Sequence, residues 1–262
     1  MSDTEDGIDF RQGMIRRRLD RVDRILLVLS GKGGVGKSVV SATLAGLLAE
    51  SHLDVGLLDA DVYGPSSALL FSATALPKEG ERGLTPPELK GVKIMSVDLF
   101  AGGRPVPLPG GGARQVLLEL LSLTDWGGLD WLLVDMPPAT GDVLQTLTSL
   151  GTKDVSALVV TTADRLSTTV AHRTLELLHT GNILTVGVLE NMHGRSSGSK
   201  SSGGPKALAR EFHVRFLGAL PYDSGVSEAV EKAEIGALLR TRFAAELRKS
   251  IEYITGNKTT SG

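Results

Sequence analysis

The stretch ILLVLSGKGGVGKSVV, residues 25–40, contains the octet GKGGVGKS (31–38), which fits the phosphate-binding pattern GxxxxGK[ST]. The apolar run before it reads as a strand that delivers the chain to the carboxyl edge of a sheet, where ligands bind in open α/β folds. Gly31, Gly33, Gly34 and Gly36 let the backbone turn tightly, so that successive N–H groups face phosphate oxygens. A helix starting near Gly36 adds its positive dipole end. Lys37 reaches the outer phosphates and the Ser38 hydroxyl is the expected Mg²⁺ ligand, with Val35 and Val39 completing the lining. The octet also carries Lys32, which the pattern does not require.

Further short apolar runs recur along the chain: VGLLDA (55–60), VKIMSV (92–97), WLLVDM (131–136), VSALVVTT (155–162), TVGVLE (185–190) and RFLGAL (215–220). Most lack the polar alternation of a half-exposed strand, as expected for parallel strands covered on both faces. Helical patterns lie between them, at 38–51, 113–123 and 167–180. Strand–helix alternation of this kind predicts an α/β fold with a doubly wound, mainly parallel sheet and helices on both faces. At 262 residues the chain suits one domain, 1–262. Flexible tails are expected at 1–12 and 256–262, and a flexible loop at 194–204, where GRSSGSKSSGG has no apolar anchor. FRQGMIRRRLDRV (10–22) reads as a short amphipathic helix, and 101–112, rich in Gly and Pro, as irregular.

Composition narrows the function. The formal net charge of −2 and the lack of a basic patch beyond Arg16, Arg17 and Arg18 give nucleic acid no footing. No apolar run approaches the roughly 18 residues of a membrane span, and the polar, acidic N-terminus is no secretory signal. Cysteine is absent, so the chain forms no disulfide and offers no thiolate to a metal. These features point to a cytoplasmic protein. The stripe Leu239, Phe243, Leu247, Ile251 and Ile254 in the last segment fits either a helix packed on the sheet or a basic surface anchor. His193 is a metal ligand only in principle, a lone histidine beside a loop, and His52, His172, His179 and His213 show no metal-ligand spacing.

Three carboxylates follow apolar runs: Asp59 and Asp61 in LLDAD, and Asp135 in WLLVDMPP. Such positions hold Mg²⁺ through water or orient an attacking water in phosphoryl-transfer enzymes. The roles of Asp59 and Asp61 do not separate on sequence.

SGKGGVGKS, LLDADVYGPS, WGGLDWLLVDMPPATGD, VVTTADRLS and VLENMHG occur in an order and spacing that resemble the Mrp-type ATP-binding proteins, relatives of MinD and ParA among the deviant phosphate-loop ATPases. The likeness runs from about residue 14 to 235. It implies a Mg²⁺-dependent ATPase that forms a homodimer around ATP and serves iron–sulfur cluster assembly or carriage. It further implies that Lys32 crosses the dimer interface to the partner's nucleotide, as an arginine finger does. By the same resemblance Asp61 orients the attacking water, Asp135 holds Mg²⁺ through a water molecule, and Asn191 hydrogen-bonds adenine. Read on its own, Asn191 is equally a capping or turn residue after its strand.

The chain departs from that pattern in three places. Val39 replaces a threonine whose hydroxyl meets the α-phosphate, a loss of about 1 kcal/mol. Ala139 replaces a glycine in PPGTGD. Where many relatives carry CxxC after the ENM motif, this chain has Ser197 and Lys200. Neither ligates iron as thiolate does, so a cluster would need a cysteine-bearing partner. A MinD- or ParA-like nucleotide-switched positioning protein, without a cluster, is the alternative.

Overall fold

The computed structural model describes residues 3–102, 112–138, 154–195 and 204–256. All seven apolar runs are strands: β1 (Val22–Leu29), β2 (Val55–Asp59), β6 (Val92–Met95), β7 (Leu129–Asp135), β8 (Val155–Thr161), β9 (Leu184–His193) and β10 (Phe216–Pro221). Three short strands were not evident in the apolar pattern, β3 (Lys78–Gly80), β4 (Gly83–Thr85) and β5 (Glu88–Leu89). The eight-stranded sheet has the order β10-β9-β8-β1-β7-β2-β6-β5, and β3 and β4 form a separate antiparallel pair. Neighbours in the large sheet run parallel except β5, which lies antiparallel on the edge of β6.

Both faces are covered, which is why the runs are apolar throughout. In β1, Ile25, Leu27 and Leu29 enter one core, and Leu26 and Val28 enter the other, following the two-residue period of a pleated strand. The first core is closed by α1 (Asp3–Leu19) and by the helices Gly112–Leu123, Arg165–Thr180 and Pro205–Glu211, through Ile15, Leu121, Leu175 and Leu208 among others. The second is closed by α2 (Lys37–Glu50) and by Ser224–Glu231, Ile235–Leu238 and Arg242–Thr255. Burying one such leucine contributes about 1.5–3 kcal/mol.

At the chain ends one expectation is revised and one alternative is decided. Helix α1 begins at Asp3, so the expected loose tail is helical from there. The sequence places acids at 3, 5 and 6 and arginines at 16–18, the order a helix dipole favours, and Ile15 and Leu19 anchor the helix in the core. In the helix Arg242–Thr255, Phe243, Leu247 and Ile254 are buried, so the apolar stripe faces the core. Among the described residues no helix is long and apolar enough to cross a membrane. Ala139, residues 196–203 with Ser197 and Lys200, and the tail from 257 lie outside the described residues.

The topology fixes where a ligand sits. From β1 the chain moves outward to β2 and β6, returns to insert β7 beside β1, then continues to β8 on the other flank. The carboxyl end of β1 is therefore the point where strand order reverses, the usual crevice in doubly wound sheets.

Candidate active site

The octet 31–38 joins β1 to α2 at that crevice. Gly34 and Gly36 have φ of 79° and 81°, in the left-handed region that a side chain resists. Gly31 has a different reason to be glycine. A Cβ there would lie 2.5 Å from the backbone of Val170, so the helix Arg165–Thr180 approaches too closely for any side chain. Val35 is buried in the α2-side core and pins the middle of the loop.

The start of α2 is left open. Gly36 occupies its N-cap without a side-chain hydrogen bond, and the first turn has no acid. By contrast, Asp164, Asp223 and Thr241 cap their helices with side-chain oxygens. An uncapped 14-residue helix presents free N–H groups and a positive dipole end, the requirements of an anion site.

Strand register brings the carboxylates together. Asp59 of β2 and Asp135 of β7 are paired neighbours at the carboxyl ends of adjacent strands, and both are fully buried. Paired positions in parallel strands point to one face, here the face of α2. Lys37, in the first turn of α2, meets Asp135 with Nζ 2.5 Å from Oδ1, and only 6% of the lysine side chain is exposed. Ser41, one turn further along α2, donates its hydroxyl to the same oxygen at 2.8 Å. Asp135 Oδ2 is buried with no hydrogen-bond partner. A buried carboxylate oxygen without a donor is costly, and a cation satisfies it. Lys37 Nζ also lies 3.4 Å from Ser38 Oγ, so the hydroxyl expected to ligate Mg²⁺ and the carboxylate expected to hold it through water share one corner of the site.

Asp59 is committed differently. Its Oδ2 accepts the amides of Ser66 and Ser67, both at 2.8 Å, and its Oδ1 accepts the amide of Asp61 at 3.1 Å. It therefore anchors the loop 60–67, which carries Asp61. Burial, and then the charge of Asp135, push the Asp59 pKa up from 3.8 to about 6, against the lowering effect of the two serine amides and Lys37. Asp61 is half-buried, and its Oδ1 accepts the Gly64 amide at 3.2 Å. The separation of the two aspartates that sequence left open thus lies in their hydrogen bonds: Asp59 holds the loop and Asp61 rides on it.

Lys32 stands at the opening. Its side chain is 41% exposed and its Nζ lies 3.9 Å from Asp164 Oδ1. Burial would raise the Asp164 pKa, but the Ser167 and Thr162 hydroxyls, the Ser167 amide and Lys32 together hold it down at about 2. Asn191, at the end of β9, is 5% exposed. Its Nδ2 donates to the Val35 carbonyl at 2.8 Å, and its Oδ1 accepts the Met192 amide at 2.8 Å. Val39 is half-buried, and its carbonyl accepts the Thr43 hydroxyl at 2.7 Å. Sequence reasoning missed Ser41 and Asp164 as site residues. Ser41 was signalled by its i+4 spacing from Lys37, and Asp164 by the cap pattern DRLS.

The family model for NUBPL iron-transfer P-loop NTPases, of the ParA group, matches residues 21–256. The iron-sulfur cluster carrier protein of Methanocaldococcus jannaschii is 32% identical over 263 residues, covering 96% of this chain and 91% of that protein. The iron-sulfur cluster carrier protein of Rickettsia felis is 32% identical over 216 residues, covering 82% of this chain. The chain spans 66% of the length of that relative. Among solved structures, a nucleotide-binding protein from Archaeoglobus fulgidus in complex with ADP superposes with a TM-score of 0.70 at 30% identity, over 86% of this chain and 92% of that one. MinD from Pyrococcus horikoshii, complexed with Mg-ADP, shares the fold with a TM-score of 0.65 at 21% identity, over 88% of this chain and 95% of that one.

Proposed function

This chain belongs to the ParA-type family of NUBPL iron-transfer P-loop NTPases, and from that membership we propose that it binds and hydrolyses ATP with Mg²⁺ and dimerises around the nucleotide. The observation that carries the reading is the buried corner of Lys37, Ser41 and Asp135 beneath an uncapped helix N-terminus. Lys37 is held on Asp135 at a site that the triphosphate would claim. With nucleotide bound, its ammonium would turn to the phosphates, leaving Asp135 without its lysine partner. Ser38 and Asp135 would hold Mg²⁺, which supplies neutralisation of phosphate charge; the orphaned Asp135 Oδ2 fits that group.

The chain's own residues supply the rest. Backbone N–H groups of 33–38 cradle the phosphates. Asp61, on the loop anchored by Asp59, orients the attacking water. Lys32 is exposed and loosely held, free to reach a nucleotide in a second copy. Large apolar side chains share its edge of the sheet: Tyr63 (74% exposed) follows β2, Phe100 follows β6, and Leu166 (61%) follows β8. Exposed apolar side chains along this edge suit a surface that another subunit covers.

Carriage of a cluster, the role in the names of the relatives, would require thiolates from a partner, because this chain has no cysteine. The same absence favours a second reading, a nucleotide-switched positioning protein without a cluster. Reconstitution with iron, sulfide and a small thiol separates the two: a stoichiometric, transferable cluster supports carriage. Phosphate release from Mg-ATP tests the enzyme reading. Lys32→Ala should retain nucleotide binding and lose most turnover. Turnover at the parent rate removes the role of Lys32 in the partner's site.

A further inference from the structure

The root of Lys32 is fixed, and its ammonium has one anchor. Ser30, 2% exposed, donates its hydroxyl to the Lys32 carbonyl at 3.1 Å. Next to Lys32, Gly31 packs on the backbone of Val170, so the phosphate loop and the helix Arg165–Thr180 meet with no side chain between them. That close approach sets the distance from Lys32 to Asp164, the N-cap of the same helix. Among the described residues, Asp164 is the only acid within ion-pair distance of Lys32 Nζ.

The carboxylate at the other end does not depend on the lysine. Asp164 Oδ1 accepts the Ser167 amide at 3.0 Å. Its Oδ2 accepts the hydroxyls of Ser167 at 2.6 Å and Thr162 at 2.5 Å. Three donors hold the group in one orientation and stabilise its charge. The contact with Lys32, at 3.9 Å, is longer than all of these, and both side chains are nearly half exposed. Lys37 is the opposite case: it is buried at 2.5 Å from Asp135, a fully buried acid whose other oxygen already lacks a partner. Lys32 can therefore leave Asp164 without orphaning a charge, and Asp164 keeps its place when the lysine goes.

We infer that Asp164 is a positioning residue for Lys32: it holds the ammonium at the mouth of its own site and so opposes the crossing to a second copy by the strength of one exposed ion pair. This rests on the shared-site reading above. A contact made in the single chain and given up in the pair counts against pairing, and it is given up twice, once by each copy. An exposed ion pair is worth a factor of about 1.5 to 5, so the dimer constant carries its square, a factor of about 2 to 25.

The test measures the dimer dissociation constant by sedimentation, in Mg²⁺ and a non-hydrolysable ATP analogue, for the parent and Asp164→Asn. The dimer should tighten by that squared factor. Asparagine caps a helix as well as aspartate does, so the melting temperature should stay within about 2 °C of the parent. Asp164→Ser, also a good cap, serves if the asparagine variant does not fold. The tightening should vanish on a Lys32→Ala background. Glu252→Gln, which removes an exposed acid at the far edge of the sheet, should leave the constant at the parent value, and this comparison decides where Lys32→Ala leaves no dimer to measure. An unchanged or weakened dimer in Asp164→Asn would overturn the inference, as would equal tightening on the Lys32→Ala background or in Glu252→Gln. A parent that binds the analogue and stays monomeric would instead overturn the shared-site reading, and the restraint with it.

Discussion

Removing the ammonium of Lys37 should destabilise the nucleotide-free protein, before any ligand is considered. Lys37→Ala leaves Asp135 fully buried with Oδ2 unpartnered and Oδ1 held only by Ser41. It also removes the cation that offsets the repulsion between Asp135 and Asp59. Breaking a buried pair on one side costs about 3–5 kcal/mol, because the surviving charge stays in a dry site. The Ser41 hydroxyl keeps the cost near the low end, about 3 kcal/mol. For a domain of this size each kcal/mol moves the midpoint by about 2–4 °C, so the loss is roughly 6–12 °C. Thermal unfolding followed by circular dichroism at pH 7.5, without nucleotide, reads this directly. Lys37→Ala combined with Asp135→Asn should recover most of the loss, since no uncompensated charge remains. A single variant that melts within about 2 °C of the parent would refute the claim that the lysine neutralises a buried carboxylate. So would a double variant that melts no higher than the single one.

Two further outcomes follow from the same geometry. Gly36→Ala places a methyl group 2.3 Å from Asn191 Nδ2 at a φ of 81°; nucleotide affinity should fall at least tenfold with a stability loss of about 1–2 kcal/mol, and near-parent calorimetry would show that the loop tolerates a side chain there. The raised pKa of Asp59 makes a signed pH prediction: its contribution to stability is fully present below 3.8 and is lost as pH rises through about 6. At about 1.36 kcal/mol per pH unit the rise amounts to about 3 kcal/mol, which should appear as a falling urea midpoint between pH 4 and 6.5 in the parent. Asp59→Asn should flatten that fall; an equal slope in both proteins would remove Asp59 as its source.

The sheet was legible because its strands are buried on both faces, so their apolar runs stand out without alternation. The strands β3, β4 and β5 were not, because residues such as Lys78, Glu79 and Glu88 lie exposed and carry no burial signature. The octet announced its own chemistry, since glycine spacing and two lysines are local properties. The partnerships within the site are not local. Lys37 and Asp135 are 98 residues apart, and sequence assigned each to a ligand and neither to the other. Asp59 and Asp61 look alike in LLDAD. What separates them is that the chain after Asp61 turns back and sets the amides of Ser66 and Ser67 on Asp59. The resemblance of VLENMHG implied an adenine contact for Asn191, whereas its turn-like alternative sits nearer the observed bond to Met192. Its reach to Val35 depends on β9 ending beside the phosphate loop, which only the strand order supplies.

The central claim is that Lys32, the open edge around it and the phosphate loop form a site completed by a second copy of the chain. Mass in solution by light scattering, at saturating Mg²⁺ and a non-hydrolysable ATP analogue, addresses it most directly. The account predicts 27.6 kDa without the analogue and twice that with it. An unchanged monomer mass, with binding of the analogue confirmed by calorimetry in the same buffer, would contradict it.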